Sequence, residues 1–315
     1  MQSISSFKAP VWQWNGHIQT VYPSLFRKIN VPYVRERVHL PDGDFLDLDW
    51  LRGGNAKLVI ITHGLEGDST RHYVTGMAQL FHQNGFDALG WNCRSCSGEI
   101  NRLPRFYHHG DANDLKFVVE YAAAAYEEII LVGFSMGGSL TLRYLGENPA
   151  QVIPQVKKSI VASVPLDLPS SVKELDKPGK RFYMNRFIQK LEKKIRIKEE
   201  MFPNHPILTT RDYHLIKNFE DFDNRYTAPL HGYADCHDFY KKASVKPLLP
   251  EIQVPTRILQ AINDPFLTPE CLELGRVSRN SPVELKLTKQ GGHVGFMQAN
   301  RPATWAEEMA LDFAK

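Results

Sequence analysis

Glu128-Ile129-Ile130-Leu131-Val132-Gly133-Phe134-Ser135-Met136-Gly137-Gly138 decides the reading of this chain. The first five residues form a short apolar run rich in β-branched side chains, the length of a buried parallel strand. After Gly138, the apolar positions Leu140, Tyr144 and Leu145 suit a helix. Between them, Gly133-Phe134-Ser135-Met136-Gly137 fits a sharp strand-to-helix turn that lifts one serine hydroxyl above the sheet. Glycines flank such a turn because a Cβ there would strike the neighbouring strand or helix. The amide of Met136 then lies at a helix N-terminus, where a developing oxyanion is stabilised.

A serine hydroxyl needs a base, and the base needs an acid to fix its tautomer. Both lie downstream in the order Ser, Asp, His. Thr256 to Ile262 reads as a strand, and the turn Asn263-Asp264-Pro265 would present Asp264 at its C-terminal end. Val283 to Thr288 reads as another strand. It is followed by Gln290-Gly291-Gly292-His293, whose glycines let His293 bend back between Ser135 and Asp264. Upstream, the strand Leu58 to Thr62 runs into His63-Gly64-Leu65-Glu66-Gly67, where the amide of Leu65 is the candidate second oxyanion donor. His63 reads as a loop-bracing residue and His72 as a surface or pocket-rim residue.

Together these segments resemble the YheT-like family of α/β-hydrolases, predicted esterases. The resemblance runs through Gly16-His17-Ile18-Gln19-Thr20, His63 to Gly67, Asn92 to Glu99, Gly133 to Gly138, Thr227 to Tyr233, Asn263 to Phe266 and Gly292 to Phe296. It implies a glycine before Cys96, where this chain carries Ser95. It also supports Asp264 as the acid over Asp167, which follows the strand ending at Val164.

At 315 residues the chain suits one large α/β domain with an insertion. Strands expected near 58–62, 87–93, 128–134, 156–164, 256–262 and 283–289 alternate with helices, including 114–126 and 304–313. That pattern implies a mainly parallel central sheet with helices on both faces. Val34 to Leu40 and Phe45 to Trp50 flank Pro41-Asp42-Gly43-Asp44 as a hairpin. Residues 1–164 and 249–315 read as the hydrolase core, and 165–248 as an inserted helical cap. Trp12, Trp14, Tyr22 and Phe26 suggest an N-terminal arm anchored by aromatics.

Within the cap, Met184, Phe187, Ile188, Leu191 and Ile195 recur at helical spacing over 181–202. Lys190, Lys193, Lys194 and Lys198 are expected on the opposite, solvated face. Such a basic amphipathic helix raises a membrane-surface role; a lid over an acyl site is the favoured reading. Phe222, Tyr226, Tyr233, Phe239 and Tyr240 offer an aromatic wall, of which two or three are expected to line the pocket. Asp114 opens a long helical run and reads as its cap, with His109 packing locally.

The net charge of +3 is too small to imply a nucleic-acid partner. No apolar run approaches the roughly 20 residues of a membrane span, and the first residues lack a signal-peptide core. These features predict a soluble, cytoplasmic protein with no stable membrane insertion. Of four cysteines, Cys93 and Cys96 form a CxxC without a second ligand pair, and read as reduced thiols. The expected function is hydrolysis of small-molecule carboxylic esters of short to medium acyl chain by Ser135, Asp264 and His293, without metal or organic cofactor. Acyl transfer or lipid-ester hydrolysis is the rival chemistry, and a non-catalytic binding protein the rival class. Oligomeric state is left open.

Overall fold

Apolar residues on both faces of the central strands leave a sheet that must be covered twice, and the computed structural model shows that arrangement for residues 2–278 and 280–315. Nine strands form one sheet: β1 (Gln2–Ile4), β2 (Val34–His39), β3 (Phe45–Leu51), β4 (Lys57–Thr62), β5 (Asp87–Asn92), β6 (Glu128–Phe134), β7 (Val156–Ala162), β8 (Thr256–Ala261) and β9 (Val283–Thr288). Their order is β1-β9-β8-β7-β6-β4-β5-β3-β2. The hairpin β2–β3 is antiparallel, as is β3–β5, and every other pairing is parallel. Side chains alternate between two cores. Leu58, Ile60, Ile129 and Leu131 enter one, and Val59, Ile61, Ile130 and Val132 the other.

The helices are α1 (Gly16–Phe26), α2 (His72–His82), α3 (Asn113–Ala123), α4 (Met136–Glu147), α5 (Leu168–Leu175), α6 (Arg181–Met201), α7 (Phe219–Phe222), α8 (Ala228–His231), α9 (Cys236–Ala243) and α10 (Trp305–Ala314). Helices α5 to α9 fall between β7 and β8 and share a third apolar cluster, which includes Met184, Ile195, Tyr226 and Phe239. Register brings the functional loops together. Thr62 at the end of β4 pairs with Gly133 of β6, and Phe134 pairs with Ala162 of β7. Ala261 of β8 pairs with Thr288 of β9, so the loops that follow them leave the sheet side by side.

Several expectations need correction. The N-terminal arm is a helix held by polar contacts, not aromatics. Trp12, Trp14 and Phe26 are 47%, 73% and 64% exposed, and Trp12 and Phe26 contact only the Tyr22 ring, edge-on and tilted, among the described aromatic pairs. Arg27 at the end of α1 instead pairs with the buried carboxylate of Glu307 at 2.7 Å and donates to the His72 carbonyl at 3.1 Å. The lysines of α6 are not uniformly solvated. Lys193 is exposed; Lys198, by contrast, is fully buried, donating to the carbonyls of Asn101 and Leu103. Burial lowers its ammonium to about 8.

Asp114 does not cap α3. It sits inside the first turn, where both carboxylate oxygens accept from buried Arg94 at 2.7 and 2.8 Å. His72 is buried rather than on the surface, although it does line the pocket. Ser95, where the family pattern implies glycine, adopts φ +63°. Its hydroxyl bonds Asn101 at 2.5 Å, a local hydrogen bond that helps a non-glycine residue hold a left-handed conformation. The short strand β1, parallel to β9, lies in a segment the sequence left unassigned.

Candidate active site

Ser135 is the residue between β6 and α4, at φ +54° and ψ −121°. This strained backbone exists because its neighbours have no side chains. A Cβ at Gly133 would stand 2.5 Å from the Gly137 carbonyl oxygen, and one at Gly137 would stand 2.3 Å from that of Thr62. Any larger residue would force β4, β6 and α4 apart.

His293 Nε2 lies 2.9 Å from Ser135 Oγ, and its Nδ1 lies 2.9 Å from Asp264 Oδ2. The other Asp264 oxygen accepts the amide of Phe266 at 2.8 Å. The Phe266 ring stacks on the imidazole, with centroids 4.1 Å apart. Asp167 stands elsewhere: it caps α5, accepting from the Ser170 amide at 3.0 Å. An Asp on Nδ1 selects the tautomer whose Nε2 can accept the serine proton.

Leu65 lies beside the serine because Gly64 permits it; a Cβ on Gly64 would sit 3.2 Å from Ser135 Cβ. The amides of Leu65 and Met136 have no protein acceptor among the described residues. His63 braces this loop, with Nδ1 2.7 Å from the Gly64 carbonyl and Nε2 accepting from the Cys93 amide at 3.1 Å. The donor pattern fits a neutral ring protonated on Nδ1.

The residues that sequence reasoning missed belong to α1. Gln19 Oε1 accepts from Asn263 Nδ2 at 2.9 Å and from the Gly291 amide at 2.7 Å. Thr20 Oγ1 accepts the His293 amide at 2.8 Å while donating to the Gly16 carbonyl at 2.6 Å. Both side chains are buried. Gly16 lets the helix approach, since a Cβ there would stand 2.0 Å from the Asn263 carbonyl oxygen. The stretch Gly16 to Thr20 was visible as a motif, but its contacts lie more than 240 residues away and carry no local signal.

Ser135 and His293 open onto a cavity of about 320 Å³. Phe187 and Leu191 of α6 line it, as do Phe222, Phe239 and Tyr240 of the expected aromatic wall; Tyr226 and Tyr233 are not among its lining residues. Tyr226 is instead buried in the helical cluster, its hydroxyl donating to the Thr209 carbonyl. Asp223, also on the lining, is buried, and burial pushes its carboxyl up to about 6, against hydrogen bonds from Thr227 and Tyr240. The four cysteines are unpaired. Among the described residues no cluster of His, Cys, Asp and Glu has the makings of a metal site.

The α/β-hydrolase fold family matches residues 57–300. The chain belongs to that family, and to its YheT-like branch. It is 30% identical over 308 residues to "Putative esterase YheT" of Escherichia coli K12, spanning 95% of this chain and 90% of that one. It is also 27% identical to human "Phospholipase ABHD3", over 97% of this chain and 77% of the relative. Among solved structures, the Pyrococcus furiosus esterase Pf2001 superposes with a TM-score of 0.58 over 91% of this chain and 95% of that one, at 18% identity. That likeness speaks for the fold. With esterase and lipase relatives on both sides, this YheT-like chain is a hydrolase. No helix among its described residues is long and apolar enough to cross a membrane.

Proposed function

We propose that the chain hydrolyses carboxylic esters of short to medium acyl length, with Ser135 as nucleophile, His293 as general base and acid, and Asp264 as the group that orients and balances the imidazole. The observation carrying this reading is the unbroken hydrogen-bonded line from Ser135 Oγ through His293 to Asp264, beside two backbone amides without acceptors. Ser135 Oγ attacks the acyl carbonyl while His293 Nε2 takes its proton. The amides of Leu65 and Met136 receive the oxyanion, each worth roughly 10²–10³-fold in rate at such sites. Collapse expels the alcohol with the proton from His293. Water, deprotonated by the same nitrogen, then releases the acid and restores Ser135. No step calls on a metal or organic cofactor.

Residues 165–248 act in this reading as a cap, with Phe187 and Leu191 covering the acyl chain. The size of the apolar cavity supports short to medium acyl groups. Four free thiols fit a reducing, cytoplasmic setting. Lipid-ester hydrolysis by the same residues is a second reading, favoured by the likeness to a phospholipase and by the exposed Trp12 and Trp14. Labelling with a fluorophosphonate, followed by a series of p-nitrophenyl esters of rising chain length, tests the proposal. A chain that is neither labelled at Ser135 nor active on any ester of the series refutes it.

A further inference from the structure

Helix α6 carries Arg186, Lys190, Lys194 and Lys198 four residues apart, a row of like charges that destabilises an isolated helix. Neutralisation fades along this row. Lys198 is buried on two backbone carbonyls. Lys194 is paired with the buried carboxylate of Glu66 at 2.7 Å, which also accepts from the Tyr107 hydroxyl at 2.7 Å. Lys190 meets only the Glu66 carbonyl, at 2.8 Å, and Arg186 is exposed with no ion pair among the described residues.

Arg71, at the start of α2, joins this unneutralised end and donates to the same Glu66 carbonyl at 3.0 Å. It also pairs loosely with Asp68, Nε to Oδ2 at 3.8 Å, while Thr70 holds the other oxygen of that carboxylate. Burial and the two arginines hold the Lys190 ammonium below its ordinary range. Arg71, Arg186 and Lys190 all line the cavity that holds Ser135, while its remaining walls are largely apolar. Three cations from two separate elements thus converge on one part of an acyl pocket, where Asp68, 3.8 Å from Arg71, is the one carboxylate paired with any of them among the described residues.

We propose that Arg71, Arg186 and Lys190 form a subsite for an anionic group, phosphate or carboxylate, carried by the ester. This rests on the hydrolase reading and names its substrate class: an acyl ester whose apolar chain lies against Phe187 and Leu191 and whose charged head lies against the three cations. Partial desolvation strengthens such an attraction, and salt weakens it.

The test compares 1-butyrylglycerol with 1-butyrylglycerol 3-phosphate, which differ only in the phosphate. The wild-type chain is expected to favour the phosphate ester in kcat/KM by about 10-fold or more at low ionic strength. Arg186→Glu and added salt are each expected to erase that preference. No preference in the wild type, or a preference that Arg186→Glu leaves intact, overturns the subsite. Calorimetric titration of Ser135→Ala with butyl phosphate gives a readout independent of turnover. Binding about 10-fold weaker in Ser135→Ala/Arg186→Glu upholds the proposal, and butyl phosphate bound no better than butanol sinks it. Should both esters and the p-nitrophenyl series resist hydrolysis, with Ser135 unlabelled, while Arg186-dependent binding persists, the proposed ester hydrolysis fails and the subsite stands. Sedimentation with phosphatidylglycerol vesicles that is lost in Arg186→Glu assigns the anion to a lipid headgroup. The ester preference without sedimentation assigns it to a soluble ester.

Discussion

The side-chain amide of Asn263 donates to Gln19 Oε1 at 2.9 Å, tying α1 to the turn that carries Asp264. The same oxygen accepts the Gly291 amide, so one glutamine spans the loops of both Asp264 and His293. Gln19→Leu would leave both donors unpaired in a buried place, at a cost of about 1–3 kcal/mol for each. Ester turnover is expected to fall by up to about 10²-fold through misplacement of the imidazole. The fall should appear in kcat and in the rate of fluorophosphonate labelling, with KM little changed. Gln19→Glu, which keeps the acceptor, should recover part of the labelling rate. A lowered melting temperature with unaltered labelling of the folded fraction would reduce Gln19 to a structural role.

Removing the proposed nucleophile alone should abolish turnover. Ser135→Ala is expected to lower kcat by roughly 10⁴-fold or more while the circular dichroism and melting temperature stay close to wild type. Substantial turnover by the purified variant would move the nucleophile elsewhere.

The two candidate acids separate cleanly. Asp264→Asn favours the wrong histidine tautomer and should cost on the order of 10⁴-fold in kcat. Asp167→Asn keeps an oxygen to cap α5 and should remain near wild type. The reverse ranking, read from steady-state kinetics, would reassign the acid.

Phe187 and Leu191 present apolar surface to the cavity. Phe187→Ala and Leu191→Ala should shift the optimum of a p-nitrophenyl ester series towards longer chains or raise KM, with labelling of Ser135 retained. An unchanged chain-length profile in both variants would remove α6 from the acyl pocket.

Asp223 gives a pH-dependent prediction. Burial raises its carboxyl to about 6 in the folded chain, against about 3.9 when unfolded. The folded state therefore holds the proton more tightly. Its stabilising contribution is complete below about pH 4 and is lost as pH rises through about 6. Asp223→Asn keeps an acceptor for Tyr240 without the buried charge. It should raise the melting temperature more at pH 8 than at pH 5, and equal shifts at both pH values would contradict the burial argument.

Much of the fold was legible because its signals are local. Four apolar residues, Ile129 to Val132, before Gly133 and a periodic run after Gly138 are enough to mark strand, turn and helix, and the glycines follow from sterics at the turn itself. The strands ending at Thr62, Ala261 and Thr288 and the loops after them could be read in the same way. The charged face of α6 could not. Periodicity marks which positions share a side, but whether Lys194 meets water or Glu66 depends on a loop 128 residues earlier. Asp114 looked like a cap because its partner, Arg94, lies in another loop.

The sequence by itself determined the alternation of strands and helices from β2 onward in the core and the positions of Ser135, Asp264 and His293 after strand ends, since each depends on residue type within a few positions. The tertiary structure decided how those loops meet. Gly16 allows α1 close enough for Gln19 and Thr20 to hold the loops of Asp264 and His293 from across the chain. It also decided that Asp264 rather than Asp167 faces the imidazole, and that three cations converge on the cavity. Hydrogen bonds and charge pairs act through distances of a few ångströms in space, and separation along the chain does not encode them.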